Sequence, residues 1–267
     1  MKLTVMTYNT LFGGFDGSDN KRYKLLTEII REANPDILMV QELKNYTQEN
    51  SKMLFQFENE ISMPGFVATA PYTGQHTAVF IKSEIKPLSF EIDNIHFHHA
   101  AAILKVQVNG LDKPLTLIST HLNPLGPQLR IAEASYFINY ASADVYTILA
   151  GDFNSVSPYD SEPNDISELQ EHFRVRYLSM DGKTTDRQVI SKLHVAGFVD
   201  VAHHLNKDSE TTVPVKGFKG AEFMSFRSDY ILTTKALAGK FKKYQVVKNS
   251  KTDYASDHYP LVAELEY

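Results

Sequence analysis

The sequence predicts an α/β fold built on mixed sheets, and three observations point to it. Segments with helix and strand periodicity alternate early in the chain, whereas strands follow one another near its end. Hydrophobic residues make up 43% of the 267 residues, enough to bury a sizeable core. Polar residues stand at one end of six strands, in an order that reverses late in the chain. We expect one domain over residues 1–267, because no linker or repeat divides the sequence.

The individual elements follow from hydrophobic periodicity and from turn residues. The predicted strands are Leu3–Tyr8, Asp36–Gln41, Phe66–Thr69, Ala78–Ile81, Ala102–Val108, Leu115–Thr120, Val145–Ala150, Asp229–Thr233, Phe241–Val247 and Pro260–Tyr267. The predicted helices are Lys21–Ala33, Ser51–Ile61, Gln128–Ala141 and Arg187–Ala196. The polar segment from Ser157 to Asp186 predicts a long excursion with short helices, and such excursions are often functional.

The net charge and the lack of cysteine disfavour or exclude several classes of partner and site. A formal net charge of −5 lowers the expectation of a long nucleic-acid partner, because such proteins usually carry a basic stripe. Nucleic acid stays an alternative, since a local groove could still be positive. The absence of cysteine excludes disulfides, thiolate zinc sites and cysteine nucleophiles.

Hydropathy gives no sign of a membrane protein. No run of 18 apolar residues occurs, and the start "MKLTVMTYN" reads directly into a strand. We therefore expect a cytoplasmic protein without a membrane span. Whether a signal peptide was removed and the oligomeric state both stay open.

Polar residues with catalytic potential stand at the ends of the predicted strands. Four strands are followed by such residues, namely Asn9, Glu42, His121, and Asp152 with Asn154. Two late strands are preceded by them, namely Asp229 and the pair Asp257-His258. Strands that run opposite to the first four would bring all of these residues to one rim, where ligand sites in α/β sheets are favoured.

The residue types at this rim predict metal-assisted chemistry. Carboxylate oxygens without thiols suit a hard cation such as Mg²⁺ or Mn²⁺. Such a set supports attack of water on a phosphoester: the cation is the Lewis acid, a carboxylate takes the proton, and His and Asn donors meet the developing charge. Taken singly, each residue also has a structural interpretation, as a turn former, a strand cap or a core imidazole.

Three further positions are candidates for substrate contact. The segment "IHFHHAA" contains His96, His98 and His99; in a strand the first two would face one side and His99 the other. Such a cluster could bind zinc, but it is more typical of a mixed strand, and we expect His99 or His98 to reach the substrate. His76 lies in a loop before a strand. Arg130 begins a helix and either forms a structural ion pair or reaches the rim.

The motifs "MTYNTL", "ILMVQE", "ISTHLN", "LAGDFNS", "FRSDYIL" and "SDHYPL", taken in this order, resemble the endonuclease/exonuclease/phosphatase superfamily. That group contains pancreatic-type deoxyribonucleases, exonuclease III-like repair enzymes, neutral sphingomyelinases and inositol polyphosphate 5-phosphatases. The resemblance spans residues 6 to 262 and implies a four-layer α/β/β/α sandwich with two mixed sheets.

The resemblance also implies a role for each motif residue. Glu42 would be the principal metal ligand, with Asn9 beside it and Asp257 completing the metal environment. Asp152 would orient or deprotonate the attacking water, and Asn154 would donate to the phosphate. His258, oriented by Asp229, would contact the scissile phosphate as an imidazolium. His121 would stabilise the transferring phosphoryl group.

Two departures from the family pattern disfavour a repair nuclease. Leu11 stands where those enzymes carry an acidic residue, and the chain has no Trp. We therefore predict a Mg²⁺- or Mn²⁺-dependent phosphoesterase acting on a small or lipid-like phosphodiester or phosphomonoester. The alternative is a nuclease acting on DNA or RNA. A non-catalytic binding module of this fold would be expected to lack Glu42, Asp152 or His258, and all three are present.

Overall fold

The computed structural model describes residues 1–208, 210–218 and 223–267. Within these residues the strands are β1 (Lys2–Asn9), β2 (Ile37–Lys44), β3 (Gly65–Ala68), β4 (Gln75–Ile81), β5 (Lys86–Asp93), β6 (Ala101–Gln107), β7 (Leu115–His121), β8 (Tyr146–Asp152), β9 (Phe198–Asp200), β10 (Asp229–Thr234), β11 (Phe241–Val246) and β12 (Leu261–Glu266). The α-helices are α1 (Lys21–Ala33), α2 (Lys52–Ile61), α3 (Pro127–Tyr136), α4 (Glu171–Arg174), α5 (Gln188–Ala196), α6 (Val201–His204), α7 (Lys235–Ala238) and α8 (Thr252–Ala255).

The strands form two six-stranded sheets with matching topology. The first sheet has the order β11-β12-β1-β2-β4-β3, and the second has the order β5-β6-β7-β8-β10-β9. In each sheet the two central strands run parallel, and all other neighbours run antiparallel. Both sheets are therefore mixed, as predicted.

Three apolar cores lie between the layers of sheets and helices. Val5 and Met39 lie in the core between the two sheets, whereas Met6 packs outward against α1 and α2. On the far side, Leu149 packs with Leu193 of α5. Neighbouring strand residues enter different cores because successive side chains point to opposite faces of a sheet. The predicted four-layer α/β/β/α sandwich is confirmed.

The central strands of both sheets end at a common rim. Strands β1 and β2 bring Asn9 and Glu42 there, and β7 and β8 bring His121 and Asp152. Strand β10 runs antiparallel to β8, so that its first residue, Asp229, lies directly opposite Asp152. The reversed order of polar residues in the sequence thus reflects reversed strand direction.

The structure differs from the predicted elements in a few places. Residues 94–100 are an irregular connection with several bends between β5 and β6, so the prediction that the histidine cluster lies in a strand is wrong. The predicted helix at Gln128–Ala141 is divided into α3 and a 3₁₀ segment, Phe137–Tyr140. The edge strand β5 was not predicted, because most of its side chains are exposed and carry no burial pattern. Among the described residues, no helix has the length and hydropathy needed to cross a bilayer.

Candidate active site

The side chain of Asp152 lies at the centre of the rim. Its Oδ1 accepts hydrogen bonds from Ser228 Oγ at 2.7 Å and from the backbone N–H of Asn154 at 2.9 Å. Its Oδ2 accepts a hydrogen bond from the Asn9 amide at 3.1 Å and lies 3.3 Å from His121 Nε2. Residues from both sheets therefore converge on one buried carboxylate.

Asp152 stays ionised in spite of this burial. Burial alone would raise its pKa, but the charge of His258, together with the neighbouring His121 ring and the hydrogen bonds from Ser228 and Asn154, brings the pKa below its ordinary value. An ionised carboxylate in a buried site can accept a proton from a positioned water molecule.

Gly151 allows β8 to present Asp152 at this point. Its φ is +145°, and a Cβ atom at this residue would stand 1.8 Å from the carbonyl oxygen of Thr120. In the parallel β7–β8 pair, Thr120 faces Gly151 and His121 faces Asp152. Only a residue without a side chain fits between the strands, which explains the glycine of the "GDFNS" motif.

A bulge in β2 directs Glu42 to the rim. The register of β2 against β4 shifts between Val40 and Leu43, and Glu42 has a φ of +63°, a sterically disfavoured value for a residue with a side chain. Its Oε1 accepts a hydrogen bond from the Asn9 amide at 3.2 Å, and its Oε2 accepts one from the backbone N–H of Phe12 at 3.2 Å. Asn9 thus links Glu42 to Asp152.

His258 lies between two carboxylates. Its Nδ1 is 2.8 Å from Asp229 Oδ2, and its Nε2 is 3.6 Å from Asp152 Oδ2. Burial would lower the pKa of His258, but Asp229 and Asp152 outweigh burial and raise the pKa well above its ordinary value. The ring is therefore an imidazolium at neutral pH, oriented by Asp229.

His121 differs from His258 in its charge. Burial lowers the pKa of His121 to about 4, although Asp152 acts in the opposite direction. Its Nδ1 has no hydrogen-bond partner among the described residues and lies 3.9 Å from Glu42 Oε1. The rim therefore holds one charged and one neutral imidazole.

Glu42 and Asp257 fit a hard divalent cation. Burial raises the pKa of both, to about 7 for Glu42, where the charge of Asp257 adds to the effect. No basic side chain of the described residues donates a hydrogen bond to either carboxylate. A buried carboxylate (Glu42) and a half-buried one (Asp257) that both lack cationic donors are a suitable pair of oxygen ligands for Mg²⁺ or Mn²⁺.

Asp152, Asp229 and His258 form a second candidate group, in which one ligand atom of each lies within 4.8 Å of the others. The hydrogen bond between Asp229 and His258 and the raised pKa of His258 argue against a metal there, because an imidazolium has no lone pair to offer. The arrangement is better explained as a carboxylate that orients a proton-bearing ring.

Asn154 and His76, two further predicted residues, are both held by hydrogen bonds. One amide hydrogen of Asn154 is donated to the Leu122 carbonyl at 3.0 Å, so this side chain is fixed at the rim. His76 lies within β4, so its predicted place in a loop before that strand is wrong. It is buried with both ring nitrogens engaged: Nδ1 accepts a hydrogen bond from Ala70 N at 3.0 Å, and Nε2 lies 2.8 Å from Thr47 Oγ1.

Arg130 and His99 are both buried. The Arg130 guanidinium donates to Ser155 Oγ at 3.1 Å and to the Asn123 carbonyl at 3.1 Å, which ties two rim loops together. His99 stacks on His121, with ring centroids 4.1 Å apart. Of these two residues, His99 is the one in direct contact with a rim side chain.

Two serines of the site were not predicted. Ser228 donates to Asp152, and Ser256 donates to the backbone carbonyl of Asn9 at 2.7 Å. Both stand directly before an aspartate of the predicted set, Asp229 or Asp257. The repeated Ser-Asp dipeptide was the sequence signal that could have identified them.

A model of the Endonuclease/Exonuclease/phosphatase family matches residues 6–258 of the chain. No curated protein matches the chain.

Several solved structures share the fold. Mannosyl-6-phosphatase Bt3783 from Bacteroides thetaiotaomicron VPI-5482 is 16% identical, with a TM-score of 0.70 over 99% of this chain and 100% of that chain. Truncated Caenorhabditis elegans TDP2 is 17% identical, with a TM-score of 0.67 over 100% and 98%. D. rerio TDP2, complexed with single strand DNA product, is 18% identical, with a TM-score of 0.69 over 100% and 99%. At these identities the structures establish a shared fold.

The family model covers all of the rim residues named above, from Asn9 to His258. The protein therefore belongs to the Endonuclease/Exonuclease/phosphatase family, whose members hydrolyse phosphoesters.

Proposed function

We propose that the protein hydrolyses a small or lipid-like phosphoester with a Mg²⁺ or Mn²⁺ ion held by Glu42, Asn9 and Asp257. The observation that carries this proposal is the environment of Asp152. This buried carboxylate is kept ionised beside the His258 imidazolium and is linked to Glu42 through the Asn9 amide. A base, a proton-bearing donor and a cation site thus lie next to one another.

The cation, when bound, supplies Lewis acidity and neutralises charge on the phosphoryl oxygens. Asp152 accepts a proton from the attacking water. At the same time the water oxygen forms a bond to phosphorus, and the bond between phosphorus and the leaving oxygen breaks. His258 donates a hydrogen bond through Nε2 to a phosphoryl oxygen, and Asp229 holds the ring in place for this. His121 and Asn154 line the remainder of the rim beside Asp152.

Apolar side chains around the rim support a substrate with an apolar part. Phe12, Tyr72 and Leu125 are exposed, and each lies in a loop that leaves or enters a strand at this rim. The ring of Phe223 packs edge-on against His258, with centroids 5.6 Å apart. Together with the net charge of −5, these side chains favour a lipid-like or aryl ester over a long polyanion.

A second candidate function is cleavage of a nucleic-acid phosphodiester. The observation that favours it is the shared fold with TDP2 structures, one of which holds a single strand DNA product. Exposed aromatic side chains such as Tyr72 would then stack on bases.

A substrate panel tests both candidates. It contains an aryl phosphodiester, an aryl phosphomonoester, a phosphocholine ester, a sugar phosphate and a single-stranded oligonucleotide, each assayed with Mg²⁺, Mn²⁺ or EDTA. We expect metal-dependent turnover of a small ester that is abolished in Asp152→Ala. Turnover of the oligonucleotide alone would select the second candidate, and equal turnover in EDTA and in Asp152→Ala would contradict the mechanism.

A further inference from the structure

The two histidines of the rim are held in different ways. His258 is oriented by the hydrogen bond from its Nδ1 to Asp229, which is the usual arrangement for a catalytic imidazole. The corresponding Nδ1 of His121 is buried and has no hydrogen-bond partner among the described residues. Something other than a hydrogen bond at Nδ1 must therefore fix the plane of the His121 ring.

The ring of His99 packs against the ring of His121 and can fix its plane. The two centroids are 4.1 Å apart and the ring planes are inclined by 20°, so the rings are stacked face to face. His99 is only 3% exposed. Its Nδ1 lies 3.0 Å from Thr73 Oγ1, which fixes the rotation of its ring. The stack therefore limits tilting of His121 toward or away from Asp152.

The backbone on both sides of the stack is held by one carboxylate. Glu133 of α3 accepts a hydrogen bond from the backbone N–H of His98 at 2.7 Å and another from that of Asn123 at 2.7 Å. These residues lie one position before His99 and two positions after His121. Helix α3 thus holds the two histidine-bearing segments in a fixed relation to each other.

A strained residue follows directly on His99. Ala100 has a φ of +75°, in a region that residues with a side chain rarely adopt. Such conformations persist only where the surroundings fix them, and they cluster at functional sites. The position of His99 is therefore imposed by its surroundings.

We propose that His99 is a positioning residue, which holds the plane of the His121 ring by stacking, in place of a hydrogen bond like the one that Asp229 accepts from His258. The proposal rests on the proposed function in so far as His121 takes part in the reaction. It assigns His99 an action through His121, in place of the direct substrate contact that the sequence suggested.

Nuclear magnetic resonance of the metal-free protein tests the stack without any need for activity. The His121 ring signals are assigned by their loss in His121→Gln. We expect them to be shifted upfield by the facing ring in the wild type and in His99→Phe, and to return toward ordinary values in His99→Leu. His96→Leu is the matched control, because His96 stacks on Tyr136 at 4.0 Å in the same loop but is exposed. Unchanged His121 signals in His99→Leu would overturn the proposal.

Kinetics on a hydrolysed phosphoester then test the consequence. We expect His99→Leu to lower kcat about tenfold to a hundredfold with little change in KM, since small misplacements of a catalytic group have effects of this size. His99→Phe should recover most of the loss, and His99→Leu should cost nothing more in a His121→Ala background. A loss of equal size in that background, or a raised KM, would overturn the proposal in favour of direct substrate contact. A wild type inactive on every ester would refute the proposed function, while the resonance shifts would still decide the stack.

Discussion

His258 Nδ1 lies 2.8 Å from Asp229 Oδ2, while Nε2 of the same ring lies 3.6 Å from Asp152 Oδ2. The imidazolium therefore stands between two buried carboxylates and lowers the cost of keeping both ionised. It also keeps its own proton, because the same two carboxylates raise its pKa. The charge state of the site is thus a property of the three residues together.

Replacing Asp229 by Asn should shorten the alkaline range of activity. The pKa of His258 would fall, so the imidazolium would be lost at lower pH than in the wild type. We expect kcat/KM to drop about a hundredfold at neutral pH, with a larger loss at alkaline than at mildly acidic pH. The control is Asp208→Asn, which breaks an exposed Asp–His pair with His203 at 2.6 Å and should leave the pH profile intact. A uniform loss at all pH values would contradict this assignment.

Replacing Ser228 by Ala should move the acidic limit of activity. The Ser228 hydroxyl contributes to the lowered pKa of Asp152, so this pKa should be higher in the variant. As the pH is lowered, the variant should therefore lose activity at a higher pH than the wild type does. The pH dependence of kcat/KM measures this shift. Ser191→Ala, which removes a hydroxyl that donates to the carbonyl of Arg187 at the start of α5, serves as the control. An unchanged acidic limit in Ser228→Ala would show that Asp152 is not the group whose ionisation limits the rate.

Metal binding should compete with protons at Glu42. Its pKa in the metal-free protein is about 7, so below that pH a bound proton must leave before the cation binds. We expect the apparent affinity for Mn²⁺, measured by calorimetry, to weaken as pH falls from 7.5 to 6 (roughly tenfold per unit at the steepest, by linkage). Glu42→Gln should bind far more weakly, whereas Glu162→Gln, at a surface ion pair with Arg187, should bind as the wild type does. Affinity independent of both pH and Glu42 would place the cation elsewhere.

Glu133 should make the folded state less stable as pH rises. Burial raises its pKa from 4.5 to about 7, so between these values the folded chain keeps a proton that the unfolded chain releases. The difference in the free energy of unfolding between the wild type and Glu133→Gln should therefore shrink from pH 4.5 to about 7, by up to about 1.4 kcal/mol per pH unit. Above about pH 7 the difference should stay constant. Urea unfolding of both proteins measures it. A constant difference across this window would mean that Glu133 is ionised throughout.

Residues at strand ends could be placed from the sequence because their positions follow from strand periodicity and direction. The apolar run before Asp152 locates the end of β8, and the order of Asp229 before its strand indicates a reversed direction. The structure brings Asn9 and Asp152 within hydrogen-bond distance, although they are 143 positions apart in the sequence. Their proximity is a property of the fold, and their chemical roles stay predictions.

The parts of the site that the sequence did not predict depend on tertiary packing. The bulge that aims Glu42 arises from the pairing of β2 with β4 and has no local signal in the apolar run "ILMVQE". The spacing of the histidines is compatible with a strand, yet the hydrogen bond that the His98 backbone N–H donates to Glu133 holds this segment as an irregular connection. Loops lack the periodicity on which such predictions rest.

The central claim is that a water molecule activated by Asp152 attacks phosphorus, and hydrolysis of an aryl phosphodiester in ¹⁸O-labelled water tests it most directly. Mass spectrometry of the two products locates the label. We predict one ¹⁸O atom in the phosphate-containing product, none in the released alcohol, and loss of the labelled product in Asp152→Asn. Label in the alcohol, or unchanged labelling in Asp152→Asn, would contradict the claim.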